Sequence, residues 1–191
     1  MPEDPPLVVG LTGASGAPIA VAALRALKAA AVPVVLAVSN GGEAVLKEEA
    51  HLSVEDLRPY ATAIQREGDF GAAIASGSRP TRGMVVVPCS SNTIAKIALG
   101  LGDTLVARAA HVQLKERRKL VIVPRETPLS TIQLEHLARL SAQGVVVLDA
   151  SPPYYLGFET VAQATDYLAG KILDQFGVPH RLYRGWKSEA P

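Results

Sequence analysis

The sequence predicts a single α/β domain with a three-layer, doubly wound parallel sheet of flavodoxin-like or Rossmann-like type, and three observations carry that expectation. Short Val- and Leu-rich runs recur at Leu7–Leu11, Val32–Val38, Met84–Val87, Leu120–Val123 and Val145–Leu148. They are continuously apolar rather than alternating, as parallel strands covered on both faces should be. Segments with a helical period separate most of them, which is the alternation of repeated strand–helix–strand units. The 191 residues suit one domain, with no linker or internal repeat, and residues 1–6 and about 180–191 read as flexible tails.

Leu7–Leu11 runs into Thr12-Gly13-Ala14-Ser15-Gly16, a turn-rich cluster, and Pro18 then suits the first turn of a helix. Ile19, Ala23, Leu27 and Ala30 recur every three or four residues, while Arg25 and Lys28 share another face, so this helix is amphipathic. The second strand closes on Ser39-Asn40-Gly41-Gly42. Residues 43–83 are the hardest to place. They suggest a helix near Glu43–Glu49, another start at Ser53–Arg58, and a long functional loop over Asp69–Arg82. Met84–Val87 leads into Pro88-Cys89-Ser90-Ser91-Asn92-Thr93 and a helix through Leu99, with a further helix over about Asp103–Glu116. After Leu120–Val123 comes Pro124-Arg125-Glu126-Thr127-Pro128. Ser130 with Gln133 and Thr160 with Gln163 have capping-box spacing and open the last two helices, ending near Gly144 and Phe176.

Composition removes several function classes. Lys and Arg total 19 against 18 Asp and Glu, a net charge of +1, so there is no electrostatic footprint for nucleic acid or an anionic membrane. No apolar run approaches the roughly 18 residues of a membrane-spanning helix. One cysteine, Cys89, excludes an internal disulfide, and the acidic, prolyl start is unlike a secretion signal, so the expected compartment is the cytoplasm. His51, His111, His136 and His180 have no metal-ligand spacing.

In open parallel sheets ligands bind at the carboxyl ends of the strands. Those ends carry Thr12–Gly16, Ser39, Pro88–Thr93, Pro124–Pro128 and Pro152–Tyr155, and the helix starts beyond them offer backbone N–H groups to a phosphate. The first loop reads Gly10-x-x-Gly13-x-x-Gly16, which is not a dinucleotide fingerprint. Ser39 and Asn40 stand where a dinucleotide site wants an acid, and no lysine makes the loop a P-loop. A mononucleotide such as FMN fits better, and phosphate binding is favoured over a plain tight turn. Arg125 at a strand end offers a two-pronged grip on a phosphate, and Glu126 beside it can carry a proton. Their position favours function over a surface ion pair. Arg108 and Lys115 are seven residues apart on one helical face, so a solvated helix end and a site contribution stay equally open. Tyr154-Tyr155 reads more readily as a packing plug, Lys171 as a solvated lysine and Cys89 as a small buried hydrophobe.

Taken in order, Gly10-Leu-Thr-Gly-Ala-Ser-Gly16, Ser39 with Glu49, Pro88-Cys-Ser-Ser-Asn-Thr93, Ala107-Arg-Ala-Ala-His-Val112, Leu114-Lys-Glu-Arg-Arg118, Pro124-Arg-Glu-Thr-Pro-Leu129 and Pro152-Pro-Tyr-Tyr155 resemble the flavin prenyltransferase (UbiX-like) family. The resemblance runs over roughly Leu7 to Phe176 and is weak at 50–82 and in the tail. It implies a flavodoxin-like subunit of a dodecamer with FMN sites at subunit junctions. Members join the dimethylallyl group of dimethylallyl monophosphate to N5 and C6 of reduced FMN, and phosphate leaves. The prenylated FMN then serves a partner decarboxylase. Carried over, Gly13, Ala14, Ser15, Ser39, Ser90, Ser91, Asn92, Thr93 and Arg125 are expected FMN contacts. Lys115, Arg125, Tyr155 and Lys171 are the expected prenyl-phosphate clamp. Ser15 and Glu126 are the expected proton-handling pair, with Glu49 and Arg108 supporting from an adjoining subunit. Three cations and a phenol would then stand where metal-dependent prenyltransferases place Mg²⁺, so a metal-independent transferase is expected. Two departures bear on prenyl preference: Lys171 stands where arginine is frequent, and Phe70 where some members carry tryptophan over the prenyl pocket.

Two rivals are an FMN-dependent cysteine decarboxylase of similar fold and a non-catalytic flavin carrier. The decarboxylases use a base histidine in the early helix region, and residues 17–32 contain none. A carrier would leave the Arg125-Glu126 pair and the cationic helix face without a task.

Overall fold

Six strands form one all-parallel sheet in the order β3-β2-β1-β4-β5-β6, seen in a computed structural model that describes residues 4–185. The strands are β1 (Leu7–Leu11), β2 (Val34–Val38), β3 (Ala63–Arg66), β4 (Gly83–Cys89), β5 (Leu120–Pro124) and β6 (Val146–Val147). The helices are α1 (Ala17–Ala29), α2 (Asn40–Ala50), α3 (Ser91–Leu99), α4 (Leu105–Lys115), α5 (Thr131–Ala142) and α6 (Val161–Gln175). The chain winds one way from β1 to β3 and the other way from β4 to β6. The reversal between β1 and β4 is the crevice where such sheets bind ligands.

Every residue of β1, β4 and β5 is buried, which accounts for their unbroken apolar runs. Alternate residues serve opposite layers. Leu7, Val9, Leu11, Val85, Val87, Val121 and Val123 join a core with α1 and α6, while Val8, Met84, Val86 and Ile122 join one with α3, α4 and α5. Gly10 lies inside β1, and a Cβ there would stand 3.0 Å from Val106 Cγ1 of α4. Its missing side chain therefore serves sheet-to-helix packing rather than the loop it seemed to open.

Helix starts follow the sequence signals. A proline lies in the first turn of α1, and both α5 and α6 open with complete capping boxes, Ser130 with Gln133 and Thr160 with Gln163. Each box satisfies two otherwise orphaned N–H groups.

The poorly readable stretch holds an unforeseen strand. After a 3-10 helix at Glu55–Tyr60, β3 adds to the sheet edge by pairing Ala63–Arg66 with Val35–Val38. It is short, only half-buried and ends in Gln65-Arg66, so it lacks the apolar run that marks the other strands. The following loop is ordered against α4. Ala72 and Ile74 are buried, Arg118 donates to the carbonyls of Arg79 and Gly77 at 2.8 Å each, and the Thr81 hydroxyl donates to Gln113 at 2.8 Å. At the chain ends, Asp4 pairs with Arg82 at 2.8 Å and Pro6 is buried. Residues 180–183, expected within a loose tail, instead dock on α6 through His180 and Tyr183. The remainder of the expected tails, residues 1–3 and 186–191, lies outside the described residues.

Candidate functional site

Loops after β1, β2, β4 and β5 converge at the carboxyl edge beside the crevice. Buried Thr12 ties two of them together: its hydroxyl donates to the Pro88 carbonyl at 2.7 Å and accepts the Ser90 N–H at 2.8 Å. Ser39 caps α2 by accepting the Gly42 N–H at 3.0 Å. The α2 start is pressed onto the first loop. A Cβ on Gly13 would lie 3.0 Å from the Gly41 Cα, and one on Gly42 only 2.3 Å from the Leu11 carbonyl oxygen. These glycines are therefore needed for close backbone approach.

The start of α3 is an open anion cradle. The Ser90 hydroxyl accepts the Thr93 N–H at 3.3 Å and pairs with the Thr93 hydroxyl at 3.0 Å. In the first turn, the N–H groups of Ser91 and Asn92 have no acceptor within the helix, and Asn92 is exposed. Those donors, at the positive end of the helix dipole, suit a phosphate. The residues present thus fit the phosphate of a mononucleotide such as FMN.

The start of α1 is already filled, contrary to the expectation of free N–H groups there. Glu49 Oε2 accepts the N–H of Gly16 at 2.8 Å and of Ala17 at 3.0 Å. Burial pushes the Glu49 pKa upward. Hydrogen bonds from Gly16, the Ser15 hydroxyl and Ala17, with the nearby Arg125 charge, more than offset this and hold it below the ordinary carboxylate value. Glu49 therefore meets Ser15 within its own chain, which corrects the expectation that it arrives from an adjoining subunit. The cause is the packing of α2, whose first turn presses Gly41 onto Gly13 and whose last turn brings Glu49 to the Gly16 and Ala17 N–H groups.

Arg125 and Glu126 follow β5 and turn away from each other. Arg125 Nε donates to the Ser15 carbonyl at 3.4 Å, while Glu126 Oε2 accepts the Ser91 hydroxyl at 3.3 Å. Ser91 in turn accepts from Gln133 Nε2 at 2.8 Å. Ser15, Glu49 and Arg125 thus form one bonded set and Ser91, Glu126 and Gln133 another, the two being adjacent only through the Arg125–Glu126 backbone. Both Arg125 and Glu126 are exposed to an incoming ligand. Sequence reasoning gave no role to Gln133 beyond its capping box or to Thr12 beyond a turn. Only the fold reveals that each also joins two loops.

The remaining expected residues do not gather there. Lys115 ends α4 at the amino edge, bonded to Glu116. Lys171 lies ten residues into α6, or about 15 Å along a helix that starts at the carboxyl edge. It pairs instead with Asp174 at 3.4 Å. Arg108 is exposed beside Gly102. Phe70 is 48% exposed, Tyr155 59% and Tyr154 fully, so the tyrosine pair is no packing plug within the chain. Cys89 is buried and burial pushes its thiol pKa far upward, as an inert core thiol requires.

A groove of about 880 Å³ lies at the amino edge among Lys28, Val34, Tyr60, Ala63 and Ile74, away from these sets. A smaller cavity of about 350 Å³ between α1, α2 and α6 reaches Glu49. The two polar sets at the carboxyl edge, rather than the larger groove, hold the residues expected at the site. Among the described residues no helix is long and apolar enough to cross a membrane.

Fold and cradle together define a mononucleotide-binding α/β protein. The sequence profile of the Flavoprotein family matches residues 1–173. The flavin prenyltransferase UbiX of Deinococcus radiodurans is 41% identical over 189 residues, which are 98% of this chain and 97% of that relative. Among solved structures, the dodecameric FMN-dependent UbiX-like decarboxylase from Escherichia coli O157:H7 has a TM-score of 0.92 and 44% identity, covering 95% of this chain and 99% of that one. AnUbiX (PadA1), crystallised with FMN and dimethylallyl pyrophosphate, has a TM-score of 0.90 and 36% identity, covering 97% of this chain and all of that one (100%). The chain belongs to the Flavoprotein family and, within it, to the flavin prenyltransferases.

Proposed function

We propose that this protein joins the dimethylallyl group of dimethylallyl monophosphate to reduced FMN, releasing phosphate and yielding prenylated FMN for a decarboxylase. The observation that carries this reading is the placing of two bonded sets, Ser15–Glu49–Arg125 and Ser91–Glu126, at neighbouring positions beside the open start of α3. When bound, reduced FMN supplies the electron-rich N5 and C6 that form the new carbon bonds.

The chain's own residues bind, orient and move protons. Ser90, Ser91, Asn92 and Thr93 hold the FMN phosphate at α3, with Gly13, Ala14 and Ser39 shaping the wall opposite. Arg125 reaches from β5 toward Ser15, where it neutralises charge on the departing phosphate. Glu126, held by the Ser91 hydroxyl, takes the proton lost from the flavin nitrogen and delivers it to that phosphate. Ser15, bonded to Glu49, bridges the relay.

Lys115, Arg108, Tyr155, Lys171 and Phe70 complete the site from neighbouring subunits of a dodecamer. The exposure of Lys115, Arg108, Tyr155 and Phe70, and the separation of Lys115 and the half-buried Lys171 from Arg125 within one chain, support this arrangement. The cations and the phenol take the role of a metal at the leaving group. The buried, unpaired Cys89 suits a cytoplasmic enzyme. The decarboxylase alternative has no histidine on α1 to act as its base, and a carrier has no use for the Arg125–Glu126 arrangement.

Incubation with reduced FMN and dimethylallyl monophosphate in EDTA, followed by mass spectrometry of the flavin, tests the reading. A gain of one dimethylallyl unit is expected. Unmodified FMN, with turnover restored by Mg²⁺, would refute the metal-free clamp, and unmodified FMN under both conditions would refute the transferase.

A further inference from the structure

Lysine is a poor choice for a fixed phosphate contact, because its flexible stem leaves the charge free to wander and it lacks the planar fork of arginine. Around Lys171 the structure supplies restraint from outside the side chain. Asp174, one turn along α6, receives three donors: the Tyr183 hydroxyl and Lys171 Nζ at Oδ2, the latter at 3.4 Å, and His180 Nε2 at Oδ1, at 3.0 Å. Lys171 Nζ also stands 5.7 Å from the centre of the Tyr183 ring, within cation–π range. His180 is itself fixed, since its Nδ1 accepts the Leu182 N–H at 3.2 Å. The Tyr183 ring meets Tyr167 edge-on at 4.8 Å, and Tyr167 lies 5.9 Å from Phe158. This aromatic row leads from the loop that carries Tyr155 to Lys171.

The space for this arrangement is made by Gly170. A Cβ there would fall 2.6 Å from Tyr183 Cδ1 and 2.8 Å from His180 Cε1, so only glycine lets the two rings close on this face of α6. The glycine has no left-handed backbone to explain it. Its use is the docking of residues 180–183. Burial disfavours the Lys171 charge, but Tyr183 and Asp174 more than compensate and raise its pKa, so the ammonium is kept charged. At 37% side-chain exposure, and with three donor hydrogens to place, it still has a proton for an outside oxygen.

We infer that Asp174, Tyr183 and His180 form a positioning device that holds Lys171 ready for the phosphate of the prenyl donor. The inference rests on Lys171 being part of the donor clamp, as proposed above. These three act through Lys171 and touch no reacting atom.

The test compares Lys171→Ala, Asp174→Asn, Tyr183→Phe and the double variant Tyr183→Phe with Lys171→Arg, each as the assembled full-length protein. Tyr183→Phe keeps the ring and the docking but loses the hydroxyl. KM for dimethylallyl monophosphate should rise by about fivefold in Asp174→Asn and in Tyr183→Phe, the scale of one hydrogen bond. In both, kcat and the Kd for FMN should stay within about twofold, a split that general loosening of the fold would not give. The double variant should recover the donor KM, because a guanidinium fork needs less help to be placed. A lowered KM in Asp174→Asn would show Asp174 competing with the phosphate for Lys171, and would overturn the inference. So would a raised KM in Lys171→Ala with none in Asp174→Asn and Tyr183→Phe, while leaving the clamp intact. An unchanged donor KM in Lys171→Ala would instead remove Lys171 from the clamp, and the positioning device with it.

Discussion

The carboxyl edge and the outer helices of this molecule handle charge in opposite ways. At the carboxyl edge, Thr12 holds Pro88 and Ser90, Glu49 and Arg125 meet at Ser15, and Glu126 holds Ser91, each tie joining segments far apart in sequence. On the outer helices, Lys115 at the end of α4 and Lys171 on α6 are held by acids one and three residues away, Glu116 and Asp174. Long-range ties fix a geometry, whereas local pairs leave a side chain ready for a partner that is not in the chain. The contrast supports the proposal that one chain builds the flavin-binding and proton-moving half of the site, with the donor clamp coming together between subunits.

The largest test of that division is Glu126→Gln, which keeps shape and removes titration. Prenylation should fall by about 10²–10⁴, the usual worth of general acid–base help, while FMN binding measured by flavin fluorescence persists. A wild-type rate would make the carboxylate structural and break the comparison at its inner side. Next in size is Lys115→Ala, which should lower kcat/KM for the donor by about 10–100-fold, as for a charged hydrogen bond, again without changing FMN affinity. Loss of FMN binding there would place Lys115 on the wrong side of the division. Ser90→Ala or Thr93→Ala should weaken FMN by about fivefold each in equilibrium dialysis, since one hydrogen bond at the cradle is lost. Tighter binding of NAD than of FMN would defeat the mononucleotide reading altogether.

The smallest effect concerns Glu49 and acid. Its carboxyl pKa is lowered in the fold, so its contribution to stability is present above the unfolded value of about 4.3 and is lost as pH falls through the lower folded value. Thermal melts should show wild type above Glu49→Gln near neutrality, with the gap closing below about pH 4. A gap that widens in acid would mean Glu49 is protonated in the fold.

The strands β1, β2, β4 and β5 were legible because burial on both faces writes an unbroken apolar run into the sequence. The starts of α5 and α6 were legible because capping boxes are local. What escaped reading depends on contacts distant in sequence. The edge strand β3 is half-buried and has no period to betray it. The Gly10 and Gly170 positions answer to Val106 and to Tyr183, which no local pattern announces. Within the site, Ser90, Arg125 and Glu126 could be picked out from their places at strand ends. The route by which Glu49 reaches Ser15 could not, because it depends on how α2 packs against α1. The resemblance supplied Lys115, Tyr155 and Lys171 as a set, and the single chain separates them.

Mixing two impaired subunits tests the shared site most directly. Glu126→Gln disables the half built within one chain, and Lys171→Ala disables the half given to a neighbour. Co-expressed from two tagged genes and purified through both tags, the mixed assemblies should regain up to about a quarter of wild-type prenylation, because some junctions then pair two intact halves. Activity no greater than that of the two parent variants would mean that each chain works alone, and would contradict the division of the site between subunits.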